Sequence, residues 1–204
     1  MKKLLFATAL SFSLALPVFA EDIAPDELVR KNTADILAAI KADKDLQAGD
    51  IKKIEKLAED KVLPYFDFQR MTQLAVGRNW RDASETQKQS LTNEFRRLLV
   101  RTYSTSLTQY RNQTIDVKPI KLSAADSEVV VKTLINQPGG QPIPIDYSME
   151  RKDGWKVFDV VIDGVSLVTN YRSSFATEIK NGGIDGLIKS LADRNSKNAA
   201  ASKK

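Results

Sequence analysis

The sequence predicts an α+β fold, one curved antiparallel sheet of about four strands with helices packed on it. Three observations predict it. Apolar residues recur at spacings of three and four from residue 28 to residue 110, switch to alternation between 115 and 162, and return to helical spacing after 173. The alternating segments follow one another through short turn-rich connections, the pattern of a meander. The last of them, within GWKVFDVVIDG, is apolar on both parities: Trp155, Val157 and Val161 on one, Phe158, Val160 and Ile162 on the other. Strand side chains alternate between faces, and a one-sided antiparallel sheet leaves one face polar. Apolar material is therefore expected on both sides of this strand.

Ahead of the fold, residues 1–20 read as a secretory signal peptide. Lys2 and Lys3 precede an apolar run from Leu4 to Leu16, too short to span a bilayer, and Val18-Phe19-Ala20 places small residues for cleavage before Glu21. No cysteine is available to carry a lipoprotein anchor. The compartment expected is the periplasm. One domain is expected over 21–195, and a frayed tail over 196–204.

The elements follow in order. Pro25 suits a first helical turn, and Leu28, Val29, Ile36, Leu37 and Ile40 continue it. Asp50 is an N-cap for Ile51, Ile54, Leu57 and Leu63, ended by Pro64. Asp67 opens a short helix with Phe68, Met71 and Leu74, stopped at Gly77. Ser84-Glu85-Thr86-Gln87 is a capping box for the longest helix, carrying Leu91, Phe95, Leu98, Leu99, Tyr103, Leu107 and Tyr110. From Glu85 to Tyr110 it would run about 40 Å. Ile115 and Val117 alternate up to Pro119, which marks an edge strand or a bulge. Val129 to Ile135, Ile143 to Met149 and Trp155 to Ile162 complete the meander. Ser173 or Ser174 caps a helix ended by Asn181-Gly182-Gly183, and Asp185 opens the last one.

Composition narrows the chemistry. With neither histidine nor cysteine, Ser-His-Asp and Cys-His catalysis and most zinc sites are absent, and no calcium-loop motif occurs. No catalytic residue, metal ligand or cofactor is assigned. Gly164-Val165-Ser166 is followed by valine at 168, so it is no nucleophile elbow. Without Lys2 and Lys3 the chain has 29 basic and 26 acidic residues, a charge of +3 that argues against nucleic acid as partner. Two explanations for the doubly apolar strand stay open: helices covering both faces, or a cavity between the sheet and the long helix.

Several stretches carry a resemblance. PYFDFQRMT (64–72), GRNWRDAS (77–84), FRRLLVRTYSTSL (95–107), GWKVFDVVIDGVSLVTNYRSSF (154–175) and GGIDGLI (182–188) together resemble the MlaC family, the toluene-tolerance auxiliary proteins, in correct order over most of the chain. The resemblance implies an NTF2-like (cystatin-like) sheet with extra helices around an apolar pocket. It implies a periplasmic phospholipid carrier, not an enzyme, which buries acyl chains and leaves the headgroup outside. The implied partners are phospholipid, the outer-membrane MlaA–porin complex and MlaD of the inner-membrane ABC complex, in a pathway that maintains outer-membrane lipid asymmetry. Tyr103, Leu107, Tyr147, Met149, Val157, Phe158, Val160 and Val165 are then the first candidates for tail contact, each also readable as core. Phe66, Phe68 and Met71 come second, favoured as helix packing. Trp80 reads as a wedge between helices, with Arg78 and Arg81 in ion pairs or on a rim; Arg96, Arg97 and Arg101 read as a solvated helix face, with a partner-docking surface as the alternative. Asn170, Tyr171 and Arg172 either orient a headgroup or join strand to helix. Two other functions compete: a periplasmic hydrolase using paired carboxylates such as Asp159 and Asp163, and a structural adaptor between envelope complexes.

Overall fold

The computed structural model describes residues 23–107 and 113–201, with the backbone alone for 104–107 and 198–201. Residues 1–20, Tyr110 and 202–204 lie outside the described residues. Among the described residues, six α-helices pack with a five-stranded antiparallel sheet. The chain runs α1 (Pro25–Ala42), α2 (Lys44–Ala48), α3 (Ile51–Lys61), α4 (Phe68–Val76), α5 (Glu85–Leu107), then β1 (Thr114–Val117), β2 (Glu128–Asn136), β3 (Ile143–Arg151), β4 (Trp155–Ile162), β5 (Val165–Ser166) and α6 (Leu167–Ala201). The class is the α+β expected. No described helix is long and apolar enough to cross a membrane.

Local chemistry starts most helices where the sequence places them. Asp50 accepts from the Lys53 amide at 3.0 Å and Asp67 from the Arg70 amide at 2.8 Å. The Ser84–Gln87 box closes in both directions, at 3.0 and 3.2 Å. Gly77 ends α4 with φ 65°, a conformation open to glycine.

The strands pair in sequence order, β1-β2-β3-β4-β5. The fifth strand is the addition: Asp163 and Gly164, at φ 49° and 80°, turn the chain so that Ile162 pairs with Val165. Pro119 ends β1, which lies at the sheet edge. Ile120 and Leu122 form no strand. Two further differences concern α6. It begins at Leu167 rather than at a cap on Ser173 or Ser174, because Ser166 Oγ accepts from the Thr169 amide and Asp159 accepts from the Val168 amide. It breaks at Gly183, at φ 69° and ψ −172°, where a stop is expected, and continues to Ala201, into the segment read as a tail.

The most consequential departure lies in β4. Tyr147 pairs with Val160, Ser148 with Asp159, but Met149 with Val157. Phe158 is thus a β-bulge, one extra residue that shifts the parity of everything beyond it. Val157 and Val160, expected on opposite faces, lie on the same one. Rows such as Val129–Met149–Val157 and Val131–Tyr147–Val160 form across the inner face. The strand looks doubly apolar because its inward residues change parity halfway along.

Three apolar clusters hold the molecule. Phe95, Phe175, Leu91, Leu187 and Leu191 centre the packing of α4, α5 and α6. Phe95 meets Tyr171 and Phe175 edge-on, each at 5.1 Å. Val131, Met149, Val157 and Val160 form the sheet's inner face with Leu28 and Val29 of α1. Ile40, Leu46, Ile54 and Leu57 bind α1, α2 and α3 into a separate small unit.

Candidate functional site

Between the sheet's inner face and the helices lies a cavity of about 450 Å3. Ligand pockets run roughly 300–1,000 Å3, and a dry apolar cavity of about 150 Å3 already takes benzene. The sheet supplies one wall through Ile145, Tyr147, Met149, Val157, Val160 and Ile162. α5 supplies Leu99, Val100 and Tyr103. The segment entering α4 adds Tyr65, Phe66, Phe68 and Met71. The opposite wall is α1, whose Leu28–Val29 and Ile36–Leu37 pairs lie two turns apart on one face, with Val62 and Leu63 beyond α3. Among the described residues, no lining residue is Asp, Glu, Lys or Arg.

The polar atoms in the lining are few. Asn32 Nδ2 donates to the Lys61 carbonyl at 2.6 Å, Thr33 Oγ1 to the Val29 carbonyl, and Gln137 Nε2 to the Gln141 carbonyl at 3.1 Å. Burial, together with the neighbouring Tyr171 phenol, raises the Tyr103 hydroxyl above the ordinary tyrosine range, so it stays protonated. The wall can therefore exclude water and hold hydrocarbon, with hydroxyl and amide dipoles but no charge.

Five of the eight first-choice residues line the cavity: Tyr103, Tyr147, Met149, Val157 and Val160. Leu107 ends α5, and its side chain lies outside the described residues. Two are corrected. Phe158 is carried off the inner face by its own bulge and lies beneath Arg70, whose guanidinium carbon is 3.7 Å from the ring centre. Val165 is 55% exposed, because the Asp163–Gly164 turn places it on the outermost strand. Phe66, Phe68 and Met71, read as helix packing, do both: they line the cavity and pack on the α4–α6 cluster. The α1 wall is absent from the expected site residues. Its doubled apolar positions, 28–29 and 36–37, are a wider stripe than one packing contact requires.

The remaining candidates have structural work. Trp80 is buried, with the Lys88 ammonium 5.8 Å from its ring, while Arg78 and Arg81 are exposed. Arg97 pairs with Glu94 at 3.0 Å and Arg101 with Glu55 at 3.8 Å. Arg172 donates to the Leu74 carbonyl at 2.9 Å, tying α6 to the end of α4. Asp159 receives Ser166 Oγ at 2.6 Å and two backbone amides, and Asp163 forms the β4–β5 turn.

Comparison with known proteins adds to this geometry. The profile of the MlaC protein family matches residues 30–193. The chain is 25% identical over 163 residues to toluene tolerance protein ttg2D of Pseudomonas putida, covering 79% of this chain and 75% of that one. It is 24% identical over 171 residues to the intermembrane phospholipid transport system binding protein MlaC of Haemophilus influenzae, covering 82% and 80%. Among solved structures, a phospholipid-binding protein from Ralstonia solanacearum in complex with a phospholipid superposes with a TM-score of 0.79 at 40% identity, over 85% of this chain and 98% of that one.

Proposed function

The chain belongs to the MlaC protein family, and from that premise we propose that it is a periplasmic phospholipid carrier, holding acyl chains in the cavity and the headgroup outside. The observation that carries this reading is the uncharged, apolar cavity of about 450 Å3 between sheet and helices. The likeness to a structure holding a phospholipid supports it.

The energetics favour such a device. Each buried methylene contributes about 0.8 kcal/mol, so roughly thirty tail methylenes exposed to water cost about 24 kcal/mol. A carrier must replace bilayer contacts by pocket contacts nearly one for one, and it needs no reacting group. The cargo passes unchanged: the described lining residues include no carboxylate, and Asp159, the hydrolase candidate on β4, is engaged in capping α6. The carrier exchanges lipid with the MlaA–porin complex at the outer membrane and with MlaD at the inner membrane, and thereby maintains outer-membrane lipid asymmetry. The resemblance of 82% of the chain to a transport-system binding protein supports that assignment.

Organic extraction of freshly purified protein, followed by mass spectrometry, should yield phospholipid near one per chain. Folded protein without lipid would overturn the carrier reading. Release of lysophospholipid or fatty acid at a catalytic rate from the loaded protein would replace it with an enzyme.

A further inference from the structure

Three arginines among the described residues are half-buried: Arg70, Arg96 and Arg101. Two have acidic partners. Arg70 meets Glu128 at 2.7 Å and also Glu150, and Arg101 meets Glu55 at 3.8 Å and the Asn195 carbonyl at 3.3 Å. Arg96 has neither a carboxylate nor a hydrogen-bond acceptor among the described residues. Its guanidinium carbon instead lies 5.9 Å from the ring centre of Phe68, which lines the cavity. Arg96 also stands one helical turn before Leu99 and Val100, the α5 residues of the same wall.

No Arg96 nitrogen is among the buried polar atoms left without a partner, so its donors face solvent beside the cavity wall, where they are free to meet an anion. The wall next to it is uncharged hydrocarbon. An anion joined covalently to hydrocarbon satisfies both surfaces together. We propose that Arg96 binds the phosphate of a phospholipid whose tails fill the cavity, so that the protein prefers phospholipid to a diacylglycerol with the same chains. This rests on the carrier reading and adds a headgroup contact to it.

The test compares dioleoyl-phosphatidylglycerol with dioleoylglycerol on stripped protein, using wild type, Arg96→Gln, Arg96→Lys and the exposed control Arg97→Gln, with melting temperatures measured in parallel. Arg96→Gln should weaken phosphatidylglycerol binding about tenfold to a hundredfold, the range of a charge-assisted hydrogen bond, and leave dioleoylglycerol within about twofold. Arg96→Lys should lose less, and for the phosphate-bearing lipid alone, because a point charge replaces a fork. That variant decides the question if Arg96→Gln fails to fold. Arg97→Gln should match wild type. Equal loss of both lipids, or loss of neither, overturns the proposal while leaving the carrier reading intact. Wild-type protein that takes up neither lipid removes the carrier reading and this proposal with it. Inorganic phosphate should not compete with phosphatidylglycerol at equal concentration; if it does, the site is one for a free anion and the lipid assignment fails.

Discussion

Val157 and Val160 face the same cavity although strict alternation separates them, and that gives two substitutions one expected outcome. Tryptophan at either position extends into open volume, so Val157→Trp and Val160→Trp should each displace lipid while costing less than the ~1–3 kcal/mol of an overpacked core. Val161→Trp, one residue on and turned to the other face, should leave lipid content unchanged; lipid analysis and thermal unfolding of the three variants check this. Asp67 offers a second prediction. Burial pushes its carboxyl pKa up, but the Lys152 ammonium at 2.6 Å and the Arg70 amide outweigh it, and the net direction is down. A depressed folded pKa means stability that is present above the unfolded carboxylate range, near pH 4, and lost as pH falls through the lower folded value. Asp67→Ala should cost about 1–2 kcal/mol at neutral pH through loss of cap and partner, and Asp67→Asn less because asparagine still caps. In urea titrations both variants should lose less stability than wild type between neutral pH and strong acid.

At the level of elements, legibility tracks how local the determining contact is. The α3, α4 and α5 starts were readable because Asp50, Asp67 and Ser84 cap amides three residues away. The α6 start was not, because one of its caps is Asp159, nine residues upstream on another strand. The β4 bulge was hidden for a related reason. It is defined by the count of residues on β3, and a single strand read alone shows only mixed parity. The break in α6 was legible as Gly182-Gly183, but the two glycines are unequal. Gly183 adopts φ 69° and ψ −172°, a region essentially confined to glycine, while Gly182 has no positive φ and open space around its α-carbon. Gly183→Ala should therefore lower stability by about 1–3 kcal/mol. Gly182→Ala should be neutral or stabilising by up to roughly 1 kcal/mol, a contrast read directly from denaturant midpoints.

Over the whole molecule, the sheet, its order and the helical layers follow from periodicity, whereas the cavity does not. Its lining is built from the same Val, Ile, Leu, Met and Phe as the solid clusters beside it, and only three-dimensional spacing separates a filled wall from an empty one. A lipid bound in that space to the folded state alone should raise stability by mass action. Stripped protein should thus melt lower than loaded protein and recover on adding phospholipid, by scanning calorimetry at fixed protein concentration. The two edge strands carry a further consequence, for self-association. The sheet closes on no barrel, and an open sheet presents unpaired amides and carbonyls that invite other chains. Here β1 spans four residues and stops just before Pro119, and β5 spans two. Each outermost strand is short, and the Phe66–Val157 bridge covers part of the β4 edge that β5 leaves open, so little continuous edge backbone is left to pair with another chain.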